Sequence, residues 1–204
     1  MQIFIGYDPR QPIAEAVLRH SIATRSSQPL PITRLQLNQL QITRRGLTEF
    51  TYSRFLVPWL CNFEGKALFL DADMLCLEDI TEIEKYATAP VSVVKNKQRF
   101  EWPSLMLFDC AQCKILTPEF VENSDRLFKM DWADVGSLSP EWNHLVGYDE
   151  PQDAKIVHFT KGIPVWPETA QCEYAEHWHA ERRAMMSTVS HDELMGRSVH
   201  VEAR

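Results

Sequence analysis

The chain has 204 residues, a net charge of −7, 45% hydrophobic residues and 24% charged residues. That is the make-up of a globular domain large enough to bury a core, and it lacks the basic excess that a nucleic-acid surface needs to displace counterions. No apolar run approaches the roughly 18 residues of a membrane span, and the start carries neither a basic n-region nor a small-residue cleavage site, so a cytoplasmic protein with no transmembrane segment is expected.

In chain order, Ile3-Phe4-Ile5 reads as a buried strand that stops at Gly6. A helix is expected from Pro12, a favoured first-turn residue, with Ile13, Ala16, Val17 and His20 on one face. Ile32 to Leu37 reads as a second strand. Thr51 to Leu60 reads as a helix with Phe55, Leu56 and Trp59 on its apolar side, shortened or kinked by Pro58. Ala67-Leu68-Phe69-Leu70 is a continuous apolar run, the pattern of a strand covered on both faces. Val91 to Val94, Leu105 to Phe108 and Ile156 to Phe159 are further strands, and Ala170 to Met186 has a helical pattern. The expected domain is 1–186, with 187–204 a loosely ordered tail.

Strands alternating with helices point to an α/β fold with a mainly parallel central sheet flanked by helices. In such sheets the ligand crevice lies at the carboxyl ends of the strands. Asp8, Asp71 and His158 each fall at or just past a strand end, so the fold class alone can bring them to one edge.

Asp71 and Asp73 follow the apolar run directly. Residues i and i+2 of extended backbone point to the same side, so both carboxylates face one ligand, and Ala72 leaves it room. Two carboxylates this close are most easily kept ionised by a bound cation, and oxygen ligands suit Mn²⁺ or Mg²⁺. Such an ion offsets the negative charge of the chain locally, which keeps a single nucleotide admissible as a ligand. A neutral His158 is a good third ligand, and Lys161 and Gly162 after it can meet phosphate with a charge and bare backbone. Two other readings of the acidic pair stay open. One is a solvated turn. The other is a phosphatase of the haloacid dehalogenase type, with Asp71 as nucleophile, although Met74-Leu75 stands where that class has Gly-Thr-like residues and no distal acidic pair appears.

Four segments resemble a known family. They are Tyr52-Ser53-Arg54-Phe55-Leu56-Val57-Pro58, Phe69-Leu70-Asp71-Ala72-Asp73, Ser104 to Asp109, and Leu138 to Asn143 followed by His158 to Trp166. In content and order they resemble glycosyltransferase family 8, the glycogenin and lipopolysaccharide galactosyltransferase group, which has the GT-A fold. The resemblance implies a retaining transfer of a hexose from a UDP-sugar to the hydroxyl of a glycan, lipid-linked or small-molecule acceptor. It implies Asp71, Asp73 and His158 on Mn²⁺ (or Mg²⁺), Gly6-Tyr7-Asp8 near the base and ribose, Arg54 near Asp71 or the phosphates, Ser104 in the strand that lines the sugar site, and Ala72, Lys161 and Gly162 beside the nucleotide-sugar.

The chain also departs from the family. Trp102-Pro103-Ser104 replaces Asn-Ser-Gly, and Pro164-Val165-Trp166 replaces Lys-Pro-Trp. The family's Asp-Gln-Asp near the reacting carbon has no clean copy, and Asp134 is the expected catalytic carboxylate in its place. These changes keep a third possibility in view, a transferase fold that binds nucleotide or glycan without turnover.

Five cysteines in a chain without a leader read as free thiols. Cys110 and Cys113 form a CxxC, but no second pair stands at the spacing of a structural zinc site. His177 and His179 do not share a helical face, so the last helix reads as a packing helix.

Overall fold

The computed structural model describes residues 1–187; apart from Ser187, the tail expected at 187–204 lies outside the described residues. Among the described residues the first seven strands, in chain order, are β1 (Gln2–Gly6), β2 (Ile32–Leu35), β3 (Lys66–Leu70), β4 (Met74–Cys76), β5 (Val91–Val94), β6 (Leu105–Asp109) and β7 (Val135–Leu138). Six of them form the central sheet in the order β2-β1-β3-β6-β5-β7. Every strand but β6 runs the same way, as expected of a mainly parallel sheet. In β3 the last four residues are fully buried, which is what a continuous apolar run requires when both faces are covered.

β6 is the exception that shapes the site. It pairs antiparallel with β3, and its first residue, Leu105, lies opposite Leu70. The residue before β6 therefore arrives at the edge where β3 ends. The acidic pair is followed at once by β4, which had not been expected as a strand. It opens a second sheet, completed by β8 (His144–Leu145) and β9 (Ile156–His158) in the order β4-β9-β8. Ile156–His158 thus belongs to this small sheet and not to the central one.

The helices differ from expectation in detail. Helix α1 (Pro12–Arg25) starts at the proline, but Ala14, Val17, Leu18, Ser21 and Ile22 form its buried side. The face is rotated from the expected one because Leu18 and Ile22 supply more apolar area than Ala16 and His20. Buried Glu15 is carried along with it and is neutralised by Arg19 at 2.6 Å and Arg34 at 2.8 Å. The expected helix at 51–60 is a 3₁₀ turn, Ser53–Leu56, running into the single turn α2 (Val57–Leu60), with Pro58 in its first turn. After α3 (Pro118–Asn123), the last helix, α4 (Ala175–Met185), is shorter than expected because left-handed Tyr174 (φ 61°) stands in front of it.

Helix α4 packs along α1. Trp178 is fully buried in the core, and Glu181 pairs with Arg25 at 2.7 Å and with His20. Deleting a buried indole leaves a cavity as well as lost transfer energy. Trp178→Ala is expected to lower unfolding free energy by about 3–5 kcal/mol in urea titration; a loss under about 1 kcal/mol would mean that α4 is not part of the cooperative core.

Candidate metal and nucleotide-sugar site

Asp71 follows the last residue of β3, and its N–H donates to Ser104 O at 2.9 Å. Its carboxylate is buried beside Arg54, with Nη1 3.4 Å from Oδ2 and Nη2 3.1 Å from Oδ1. Arg54 is itself 7% exposed. It donates to Pro103 O at 2.8 Å and to Phe50 O at 3.3 Å, so its guanidinium is spent inside the protein. Of the two partners expected for Arg54, it pairs with Asp71.

His158 reaches the acidic pair through backbone pairing. Met74, the residue after Asp73, lies opposite His158 in the β4–β9 ladder, and Phe159 N–H donates to Asp73 O at 2.9 Å. His158 Nε2 ends 3.4 Å from Asp73 Oδ1. One ligand atom from each of Asp71, Asp73 and His158 lies within 4.8 Å of the others. Two carboxylates and an imidazole are a fitting donor set for Mn²⁺ or Mg²⁺. Asp71 Oδ1 and His158 Nδ1 are buried without a well-directed hydrogen bond, a cost that a cation at the cluster would relieve for the carboxylate.

The electrostatics point the same way. Burial pushes Asp71 up to about 7; Arg54 and His158 oppose the shift, and Asp73 and Glu101 add to it. Burial alone would lower His158, but the carboxylates of Asp73, Asp71 and Glu101 outweigh it and raise the imidazole above its ordinary 6.5. Glu101 is raised by burial, with Asp73 adding to the shift.

A cleft of about 320 Å³ opens beside the cluster, lined by Asp8, Arg10, Gln11, Thr48, Phe50, Ala72, Asp73 and Trp166. Asp8 is held by Arg10 through Nε at 2.9 Å and Nη2 at 2.5 Å, and that pairing keeps its carboxyl below the usual range. Gly6 lies under Phe50, whose ring would be only 2.4 Å from a Cβ added there. Tyr7 is half-buried, with the Arg34 guanidinium 4.4 Å over its ring. Gly162 takes φ +106°, a conformation that favours glycine, and Lys161 is exposed, its Nζ donating to Gly147 O at 3.3 Å.

Two expected residues stand elsewhere. Ser104 is 1% exposed; its hydroxyl donates to Glu101 O at 2.6 Å and accepts from Asn143 Nδ2 at 2.9 Å. It braces Asp71 from below and does not face the cleft. Asp134 is exposed just before β7, and Val135 pairs with Val91 at the amino end of β5. That is the sheet edge opposite the acidic cluster, so the structure does not bring Asp134 to it. Arg10, Phe50 and Glu101 had not been anticipated. Arg10 had one legible signal, an Asp at i−2 beyond a strand end. Glu101 had none, because only the folded chain sets it beside His158.

No protein-family model matches the chain. It is 34% identical over 219 residues to Protein CDI of Arabidopsis thaliana, which takes in 87% of this chain and 84% of that protein. Among solved structures, it resembles the WbbM bifunctional glycosyltransferase with a TM-score of 0.66 at 14% identity, covering 89% of this chain. The chain spans about half of WbbM, 49% of its length. It also resembles the galactosyltransferase LgtC solved with donor and acceptor sugar analogs, with a TM-score of 0.59 at 11% identity and 93% and 98% of the two chains covered. At these identities the likeness establishes the fold, which is that of the GT-A glycosyltransferases.

The raised groups set a pH dependence. Asp71 and His158 hold a proton more tightly folded than unfolded, so the stability they contribute is present at low pH and is lost as pH rises, for Asp71 between 3.8 and about 7. In metal-free protein, Tm is expected to fall between about pH 5 and pH 7.5, and Asp71→Asn to flatten that fall. Equal slopes for the two proteins in scanning fluorimetry would rule Asp71 out as the titrating group.

Proposed function

This chain belongs to the family of Protein CDI, and we propose that it is a metal-dependent glycosyltransferase that moves a hexose from a nucleotide diphosphate sugar, a UDP-sugar in the first instance, to an acceptor hydroxyl with retention of configuration. The observation that carries this reading is the Asp71–Asp73–His158 cluster at the strand-end edge of a GT-A fold, beside a cleft of about 320 Å³. The sequence resemblance to glycosyltransferase family 8 supports the donor class and the stereochemistry. The acceptor is a glycan, a lipid-linked sugar or a small molecule.

Bound at Asp71, Asp73 and His158, Mn²⁺ or Mg²⁺ supplies a Lewis-acidic positive charge to the donor diphosphate. The chain's own groups do the rest. Arg54 keeps Asp71 oriented from its buried side. Arg10, exposed at the cleft and fixed by Asp8, offers a second cation to the phosphates. Phe50 on one wall and Trp166, 51% exposed, on another give apolar surface for the base or sugar. Lys161 and Gly162, three and four residues after His158, are assigned to the phosphates as a charge and a stretch of bare backbone. Positioning and electrostatics account for the catalysis; with Asp134 at the far edge, no side chain is assigned as a nucleophile.

One observation favours a second reading. Ser104 is spent on internal hydrogen bonds, which removes one expected sugar contact and fits a module that binds a nucleotide-sugar without turnover. Incubation with Mn²⁺ and a panel of UDP-sugars, following UDP release, separates the two. Release is expected with at least one donor, and Asp73→Asn is expected to lower it by 10²-fold or more, on the order of a lost charge-stabilising group. Metal-dependent UDP binding with no release across donors and acceptors selects the binding module; no UDP binding at all removes both.

A further inference from the structure

His158 presents its two ring nitrogens to different surroundings. Nε2 faces Asp73 at 3.4 Å and so faces the acidic cluster. Nδ1 is buried and has no hydrogen-bond partner among the described residues. The group nearest to it of opposite charge is Glu101, with Oε2 at 4.0 Å; the two side chains are 3% and 15% exposed. Glu101 is in turn left without another partner, since His158 provides its only ion pair among the described residues. A buried donor without an acceptor thus stands opposite a largely buried carboxylate without a donor.

We propose that Glu101 is the positioning carboxylate of the metal site. It accepts the Nδ1–H of His158, fixes the tautomer that leaves Nε2 free to ligate, and holds the ring with Nε2 toward the cluster. A metal-bound histidine typically donates its other N–H in this way. The imidazole lies between Glu101 and the cluster, so Glu101 acts through His158 and is not a fourth ligand. Closing the gap takes about 1 Å, within reach of a side-chain rotation on a fixed backbone.

The backbone there is fixed. The turn Arg99–Ser104 gives three carbonyl contacts: Glu101 O to Ser104 Oγ at 2.6 Å, Pro103 O to Arg54 Nη1 at 2.8 Å, and Ser104 O to Asp71 N at 2.9 Å. One turn therefore braces Asp71 directly, Asp71 again through Arg54, and His158 through the Glu101 side chain.

This inference rests on the metal-site reading, and the test keeps the two apart. Mn²⁺ alone is titrated into wild type, Glu101→Ala, Glu101→Gln and Asp73→Asn, followed by calorimetry and by the paramagnetic resonance of free Mn²⁺. The ¹⁵N signals of His158 are followed in the metal-free proteins. Glu101→Ala is expected to weaken Mn²⁺ binding by roughly 10- to 100-fold and to shift Nδ1; Glu101→Gln, which keeps an acceptor oxygen, is expected to lose less on both. Unchanged Mn²⁺ affinity in Glu101→Ala overturns the proposal, while a loss in Asp73→Asn leaves the metal site standing. Loss in Glu101→Ala as complete as in Asp73→Asn also overturns it, by making Glu101 a ligand. If wild type binds no Mn²⁺, the metal reading fails, and the Nδ1 signal alone decides whether Glu101 holds the ring.

Discussion

Asp71 stands at the end of a strand whose preceding four residues are fully out of water, and a carboxylate there must be compensated or neutralised. Much of the neighbouring structure answers that demand. Arg54 is drawn inward from a turn that would otherwise leave it at the surface, and its remaining donors are taken by Pro103 O and Phe50 O. Reversed strand β6 delivers Ser104 O to the Asp71 N–H. Even so, the carboxyl stays raised to about 7. The compensation is partial, which is the condition under which a cation gains from binding.

The second constraint is the β4–β9 ladder. Because β4 begins one residue after Asp73, its pairing register decides what stands beside the acidic pair, and the register sets Met74 against His158. A slip of one residue would turn His158 to the other face of the small sheet. The third candidate ligand is thus placed by backbone hydrogen bonds rather than by side-chain packing, and rigid elements of this kind hold a ligand set to its geometry better than loops do.

The sequence was most legible where one local pattern decides the outcome. The apolar run before Asp71, the i and i+2 spacing of the two aspartates and the proline start of α1 each rest on short-range sterics or periodicity. The strand-end placement of His158 was legible too, but its sheet was not, since a three-residue strand such as β4 carries too little pattern to be read. Glu101 is a part of the site that only the fold can reveal, and Arg10 gave no more than an Asp two residues before it beyond a strand end. Asp134 shows the opposite failure: its place in the chain order suited a catalytic carboxylate, but order along the chain does not say at which end of β7 a residue falls. Ser104 likewise came to the right edge, but buried beneath it.

The segment before β6 has a physical role of its own. The chain carries Glu101-Trp102-Pro103-Ser104 there in a 3₁₀ turn. The turn is anchored by the Trp102 indole donating to Asn96 O at 3.0 Å and by Arg99 over the same ring at 4.6 Å. Bulk and a proline there restrict backbone freedom, and the carbonyls so fixed are the ones that hold Arg54 and Asp71. The turn thus stiffens the support of the acidic cluster. Beneath that rigid turn the carboxylates of Asp71, Asp73 and Glu101 crowd together and raise one another, and His158 and Arg54 offset this only in part. A cation bound there would offset that cost, which is the physical support for the metal site proposed above.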